Sequence, residues 1–157
     1  MKPRPDEDRR VLVANRKARH DYEVIETLEA GLVLVGTEVK SLRAGRANLG
    51  DSYAVIDNNE AWLLQLHISP YTQGNQFNHD PLRKRKLLLH KSQIRKLRIR
   101  TQEKGLTIVP LALVLVGKRV KVDLGLARGK RLYDKRETTA KRDAEREMER
   151  AVRERDR

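Results

Sequence analysis

The sequence predicts a mainly β protein: a small closed barrel of about six short strands, two to three short helices, and a separate basic C-terminal tail. Three observations predict it. Short aliphatic runs, several with period-2 alternation, recur between residues 11 and 127 and stop at glycine or asparagine turns. Nearly all the large apolar side chains fall in that stretch. Residues 134–157 hold almost none. The expected organisation is a flexible leader over residues 1–10, a barrel over 11–127 and a basic tail over 128–157, with no internal repeat.

Along the chain, Tyr22–Thr27 shows mixed alternation and reads as a strand. Gly31–Gly36 (GLVLVG) is a β-branched apolar run between glycines and reads as a buried strand. A helix is expected at once after it, with Thr37 as N-cap, Glu38 in the positive first turn, Val39 and Leu42 on one face and Gly45 at the end. Ser52–Ile56 and Ala61–Leu66 flank Asp57-Asn58-Asn59-Glu60. Asparagine tolerates left-handed backbone, so this is a hairpin. Arg85–Leu89 is a strand leading into a helix near Lys91–Arg98, where Ile94 and Leu97 lie three apart. Leu111–Val116 runs to a turn at Gly117-Lys118. Val120, Val122, Leu124 and Leu126 then alternate with Arg119, Lys121 and Asp123. That alternation puts the aliphatics inside and Lys121 on the outer face. Pro110 cannot donate to a ladder, so a strand start or an edge is expected there.

The charge points to a polyanionic partner. The 157 residues carry 35 Lys and Arg against 22 Asp and Glu, a formal balance of +13. Residues 83–104 hold ten basic residues against one acid, Glu103, a balance of +9. Like charges packed so densely repel one another unless an anion offsets them. A barrel with basic strands and loops is the architecture of oligonucleotide-binding folds. With no Cys in the chain, disulfides and thiolate metal sites are excluded. The N-terminal MKPRPDEDRR lacks the apolar core of a secretory signal, and no apolar run approaches membrane-spanning length. A cytoplasmic protein with no membrane partner is expected.

No catalytic pattern emerges. The histidines His20, His67, His79 and His90 sit in no nucleophile motif, and there is no G-x-S-x-G, P-loop or H-E-x-x-H. His20-Asp21 and His79-Asp80 are sequence neighbours only. Glu23, Glu26 and Glu29 read as surface residues rather than an acid–base pair. No cofactor and no metal is expected. Gly125 and Gly129 fail the P-loop pattern and read as a joint between barrel and tail. Trp62, within an A-W-L-L run, reads as core. Tyr133, in the basic GKRLYDKR stretch, is the candidate for stacking on an unpaired base. In the tail, Ala140, Ala144, Met148, Ala151 and Val152 recur at helical spacing. That narrow stripe cannot offset the ordering of roughly 24 residues at about 1–2 kcal/mol each. The expected tail is disordered when free and helical on a phosphate-lined surface.

These strings carry a resemblance. Asn15–Tyr22 (NRKARHDY), Glu29–Arg43 (EAGLVLVGTEVKSLR), Asn48–Ile56 (NLGDSYAVI), Arg85–Lys91 (RKLLLHK) and Gly125–Thr138 (GLARGKRLYDKRET) resemble, in order, the SsrA-binding protein family, also called SmpB. The resemblance implies a six-stranded oligonucleotide-binding-type barrel. It implies binding to the tRNA-like domain of transfer-messenger RNA, delivery to stalled ribosomes and tagging of the nascent peptide. The barrel would occupy the decoding centre and the tail would enter the empty messenger channel as a helix.

By motif, the family's RNA-contacting glutamate falls on Glu29, its leucine on Leu88 and its strand lysine on Lys121. Lys121 would neutralise a phosphate, Leu88 would pack on a sugar or base, and Glu29 would accept from a base or ribose donor. Arg16, Lys17, Arg19, His20, Gly31, Arg83, Arg85, Lys86, His90, Arg128 and Lys130 complete the expected RNA surface. The family's tail elements fall on Gly129, Lys130 and Arg131 and on Asp134, Lys135 and Arg136, with Tyr133 as the stacking ring at the decoding centre. A monomer is expected. Two rival readings are a ribosomal protein with a barrel and basic tail, and a small RNA-modifying or RNA-cleaving enzyme. The motif series favours the adaptor over the first, and the second lacks a nucleophile–base cluster.

Overall fold

The structure, a computed structural model, describes residues 9–71, 78–103, 105–130, 142, 144–151 and 153. Its elements are β1 (Arg9–Ala14), α1 (Arg16–Asp21), β2 (Tyr22–Leu32), α2 (Gly36–Arg43), β3 (Ala47–Asn48), β4 (Tyr53–Asp57), β5 (Glu60–Leu64), β6 (His67–Ile68), β7 (Arg85–Leu88), α3 (Lys91–Thr101), β8 (Leu106–Val116) and β9 (Arg119–Gly129). The protein is mainly β with short helices. All pairings are antiparallel. In the seven-stranded sheet the order is β1-β8-β4-β5-β7-β2-β9, and β8 also pairs with β9. One edge of β8 carries β4 and then β1, while the other carries β9.

Period-2 alternation builds the core. On β9, Val120, Val122, Leu124 and Leu126 are buried, while Lys121 and Asp123 point outward and are partly covered. Leu42 of α2 and Leu97 of α3 join Leu63, Leu87, Ile108 and Leu113 in the main cluster. Burying a side chain of this size contributes about 1.5–3 kcal/mol. Two asparagines, Asn58 (φ 54°) and Asn59 (φ 60°), take the left-handed backbone that the two-residue β4–β5 turn demands. Gly45, at φ 71°, ends α2 as expected.

Several local expectations are corrected. Gly31–Gly36 is not a buried strand: β2 ends at Leu32, and Val33 and Val35 are exposed. Only the Val33 amide continues toward Lys86 O, because the chain must turn into α2. The N-cap of that helix is Val35, not Thr37. Glu38 Oε1 accepts from the Val35 amide at 3.0 Å, half of a capping box. Thr37 instead lies 2.9 Å from His79 Nδ1. Pro110 is neither at a strand start nor on an edge. It sits inside β8 beside the register shift between Pro110 and Ala112, where a bulge removes the need for its missing donor. Trp62 is not core. It faces outward on β5, half-buried, with Lys84 Nζ 4.5 Å from its ring centre.

The ends of the strand region also differ. β1 begins at Arg9, inside the expected leader, and β9 continues to Gly129, past the expected joint. The short helix α1 is an addition. Its N-cap is Asn15, whose Oδ1 accepts from the Ala18 amide at 3.1 Å. The Nδ2 of the same side chain donates to Pro110 O (2.8 Å) and Leu49 O (3.2 Å), and its amide donates to Leu111 O (2.8 Å). One buried asparagine therefore ties α1 to β8 and to the loop before β4. In the tail, residues 142, 144–151 and 153 are helical and exposed, Met148 at 72 %. No helix among the described residues is long and apolar enough to cross a membrane.

Candidate nucleic-acid interface

Three strands meet at one cleft. Glu29, Ala30 and Gly31 from β2, Leu88 at the end of β7, and Lys121 of β9 line a space of about 360 Å³, closed by Leu89, His90 and Gln93. The register sets this meeting. Gly31 pairs with both Leu88 and Lys121, and Glu29 lies opposite Asp123. Gly31 is needed for its size: a Cβ there would come 3.1 Å from Leu88 Cβ. Without it, Leu88 lies flat over the strand and stays 55 % exposed, a large apolar side chain offered to solvent beside a lysine. His90 caps α3 through its amide, which donates to Gln93 Oε1 at 2.9 Å.

The charges form a chain across the strands. Lys121 Nζ lies 2.9 Å from Glu29 Oε1. Arg9 Nη1 donates to Glu29 Oε2 at 2.7 Å, and Arg9 Nη2 donates to Asp123 Oδ2 at 2.5 Å. Burial alone would push the Glu29 carboxyl up, but the hydrogen bonds from Lys121 and Arg9 hold it below the usual carboxylate range. The Asp123 and Glu29 hydrogen bonds hold the Arg9 guanidinium above its ordinary value. Two further grooves adjoin the cleft. One shares Gly31, Leu88 and Lys121 and extends to Lys118 and Arg119; the other shares Glu29 and extends through Arg9 to Arg19.

The other expected residues fall in separate groups. Arg16, Lys17, Arg19 and His20 lie on α1, which the Lys130 amide reaches by donating to Asp21 O at 2.8 Å. Arg128 and Gly129 end β9 beside it, opposite Glu23 and Tyr22. This basic corner lies seven residues along β9 from Lys121, roughly 23 Å at 3.3 Å per residue. Lys17 pairs with Asp51 (2.9 Å) and His20 Nδ1 with Asp21 (2.9 Å). His79 is held by Thr37 and by Ile68 O, a structural role. Lys86 stands outward on β7, 3.4 Å from Glu60.

Arg85 is a correction. Its side chain is fully buried and its donors are spent inside the protein: Nε on Glu38 Oε2 (2.5 Å), Nη1 on Leu66 O (2.6 Å) and Arg83 O (3.0 Å), Nη2 on Pro81 O (3.1 Å). It pins the segment before β7 to α2 and is closed to any surface ligand. Arg83 also pairs with Glu38, through Nη2, and is only partly exposed. Burial pushes Glu38 up; the hydrogen bonds from Arg83, the Val35 amide and Arg85 outweigh it and hold the carboxyl below its usual range. Arg131, Tyr133, Asp134, Lys135 and Arg136 lie outside the described residues. Two residues went unread in the sequence. Gln93 was legible as the third position of a capping box. Arg9 had no local signal, because its partners Glu29 and Asp123 lie 20 and 114 residues away on other strands. Among the described residues no group of three or more His, Asp or Glu comes together as a metal site.

The chain is similar to known proteins along most of its length. The profile of the family described as SmpB protein matches residues 12–154. The SsrA-binding protein of Carboxydothermus hydrogenoformans is 59 % identical over 144 residues, covering 92 % of this chain and 97 % of that one. The SsrA-binding protein of Desulforudis audaxviator is 60 % identical over 147 residues, 94 % and 96 % respectively. A chain from a solved structure described as "tmRNA-SmpB: a journey to the center of the bacterial ribosome" is 52 % identical and superposes with a TM-score of 0.66, covering 76 % of this chain and 85 % of that one.

Proposed function

The chain belongs to the SmpB family, and we propose that it is an RNA-binding adaptor, not an enzyme, that binds the tRNA-like domain of transfer-messenger RNA and delivers it to stalled ribosomes for trans-translation. One observation carries this. Identity near 60 % runs through 92 % of the chain with proteins named for binding SsrA RNA, whereas a shared fold alone would leave function open. The work is cytoplasmic and the protein acts as a monomer.

The finer reading is a closed barrel of the oligonucleotide-binding type. Its support is the pairing circuit: from β8 through β4, β5, β7, β2 and β9 the hydrogen-bonded neighbours return to β8. In that reading Lys121 neutralises a phosphate. Its ammonium has three donors and Glu29 uses one. Leu88 packs on a sugar or base. Glu29 keeps spare acceptor capacity, since a carboxylate has about four lone-pair sites and Lys121 and Arg9 take one each. The basic corner of Arg16, Lys17, Arg19, His20, Arg128 and Lys130 tracks the backbone further along. The described residues of the tail helix are all exposed, so the helix is marginal in water and is stabilised by the phosphate-lined messenger channel.

The test combines binding and rescue. Full-length protein is titrated with the tRNA-like RNA across a salt series, and tagging is reconstituted on stalled ribosomes. Log K should fall by about 0.7–0.9 per phosphate neutralised. Deleting residues 134–157 should leave binding intact and abolish tagging. Equal affinity for an unrelated hairpin RNA would overturn the partner, and tagging by the truncated protein would overturn the tail.

A further inference from the structure

Glu29 and Asp123 are direct cross-strand partners on β2 and β9. Like charges in that position repel and destabilise the pair. Arg9, reaching in from β1, offers its planar fork to both: Nη1 to Glu29 and Nη2 to Asp123. Among the described residues, the ion pairs of Glu29 are to Arg9 and Lys121, and that of Asp123 is to Arg9. Counted together, the four side chains are neutral. Without Arg9 the cluster carries a net negative charge, and Lys121 is the one cation left to serve two carboxylates.

We propose that Arg9 is a positioning residue of the RNA site: it is the shared counter-ion of Glu29 and Asp123, and by occupying both it leaves Lys121 available to a phosphate. The proposal rests on the reading of the Glu29–Lys121 cleft as an RNA contact. A phosphate approaching Lys121 then meets a neutral cluster instead of an anionic one, within a distance that salt does not fully screen. Arg9 itself need not touch RNA.

The experiment measures affinity of full-length protein for the tRNA-like RNA fragment at several salt concentrations. Arg9→Gln should weaken binding about fivefold at low salt, and the loss should shrink as salt screens the uncovered negative charge. Lys121→Ala should weaken it about tenfold and lower the slope by about 0.7–0.9. Asp123→Asn on its own should leave affinity equal or higher. The double variant Arg9→Gln/Asp123→Asn, neutral again, should recover to within about twofold of the parent. Unchanged affinity in Arg9→Gln with Lys121→Ala weakened would overturn the inference and leave the site reading standing. Failure of Asp123→Asn to rescue would make Arg9 a direct contact and overturn it too. Should Arg9→Gln not fold, a loss of affinity in the single variant Asp123→Asn decides against it. Unchanged affinity in Lys121→Ala removes the site reading and the inference together.

Discussion

Replacing Arg85 with Leu separates an internal role from an RNA contact. The side chain is wholly buried, and the structure gives it a carboxylate partner and several backbone carbonyls. Removing it does not strand Glu38 entirely, since Arg83 and the Val35 amide remain. It does leave a fully buried carboxylate with half its compensation, and it takes a donor from Leu66 O and Arg83 O, while Pro81 O keeps the Ile68 amide. Breaking a buried pair from one side costs about 3–5 kcal/mol. For a folded body of this size, about 3–6 °C is lost per kcal/mol, so melting should fall by roughly 10–30 °C. Thermal unfolding followed by circular dichroism reads this, with RNA affinity measured well below the lowered midpoint. Affinity of the folded protein should match the parent. Lys86→Leu is the control: the same strand, a half-exposed lysine and a 3.4 Å surface pair, with a stability change within about 0.5 kcal/mol. Parental melting of Arg85→Leu with a large loss of RNA affinity would refute the reasoning.

Three further outcomes follow from the same contacts. The carboxyl of Glu38 is depressed below its ordinary 4.5, so its stabilisation is complete above that value and is lost as pH falls below it. The melting gap between the parent and Glu38→Gln should therefore be wide at pH 7 and narrow in acid; a gap independent of pH would contradict this. Gly31→Val places side-chain atoms where Leu88 Cβ and Cδ1 already lie, 3.1 and 3.3 Å from the new Cβ. Leu88 is displaced, and RNA affinity should drop about tenfold, or about 1.4 kcal/mol, while melting falls only a few degrees. Asn15→Ala removes a helix cap and takes the side-chain donor from Pro110 O, while Leu49 O keeps the Ser52 amide and hydroxyl; the loss should cost about 2–3 kcal/mol in denaturant unfolding.

Hairpins and helices with strong local signals were legible. The Asn58-Asn59 turn, the Gly117 turn and the alternation of Val120 to Leu126 each state their geometry within a few residues. Glu29, Leu88 and Lys121 were legible only through the strings resembling a family; nothing local shows that three strands bring them to one cleft. Burial of charge was not legible at all. In sequence, Arg83, Arg85 and Lys86 form one basic run. In the fold, strand alternation turns Arg85 inward and Lys86 outward, and α2 supplies the carboxylate that makes the inward arginine tolerable. Trp62 was misread for the same reason, since an apolar run of A-W-L-L does not say which face is covered. Pro110 reads as a strand start or an edge because a bulge leaves no mark in the residue types around it.

The formal +9 of residues 83–104 therefore overstates what a polyanion meets. Glu38, Glu60 and Glu26, all from outside that segment, pair into it with Arg83 and Arg85, with Lys86 and with Lys96, which lowers the local balance to +6. A lysine already paired must exchange its carboxylate for a phosphate, so its contribution to RNA binding is a difference rather than a full contact. Removing the carboxylate should then strengthen binding wherever the freed lysine lies under the RNA. Glu60→Gln frees Lys86 from a surface pair that itself contributes little to stability, both side chains being nearly half exposed. Affinity for the tRNA-like RNA should rise about two- to threefold at low salt, and the gain should fade as salt screens the freed charge. Unchanged affinity across the salt series would take Lys86 out of the RNA footprint and confine the interface to the cleft at Leu88 and the corner at α1.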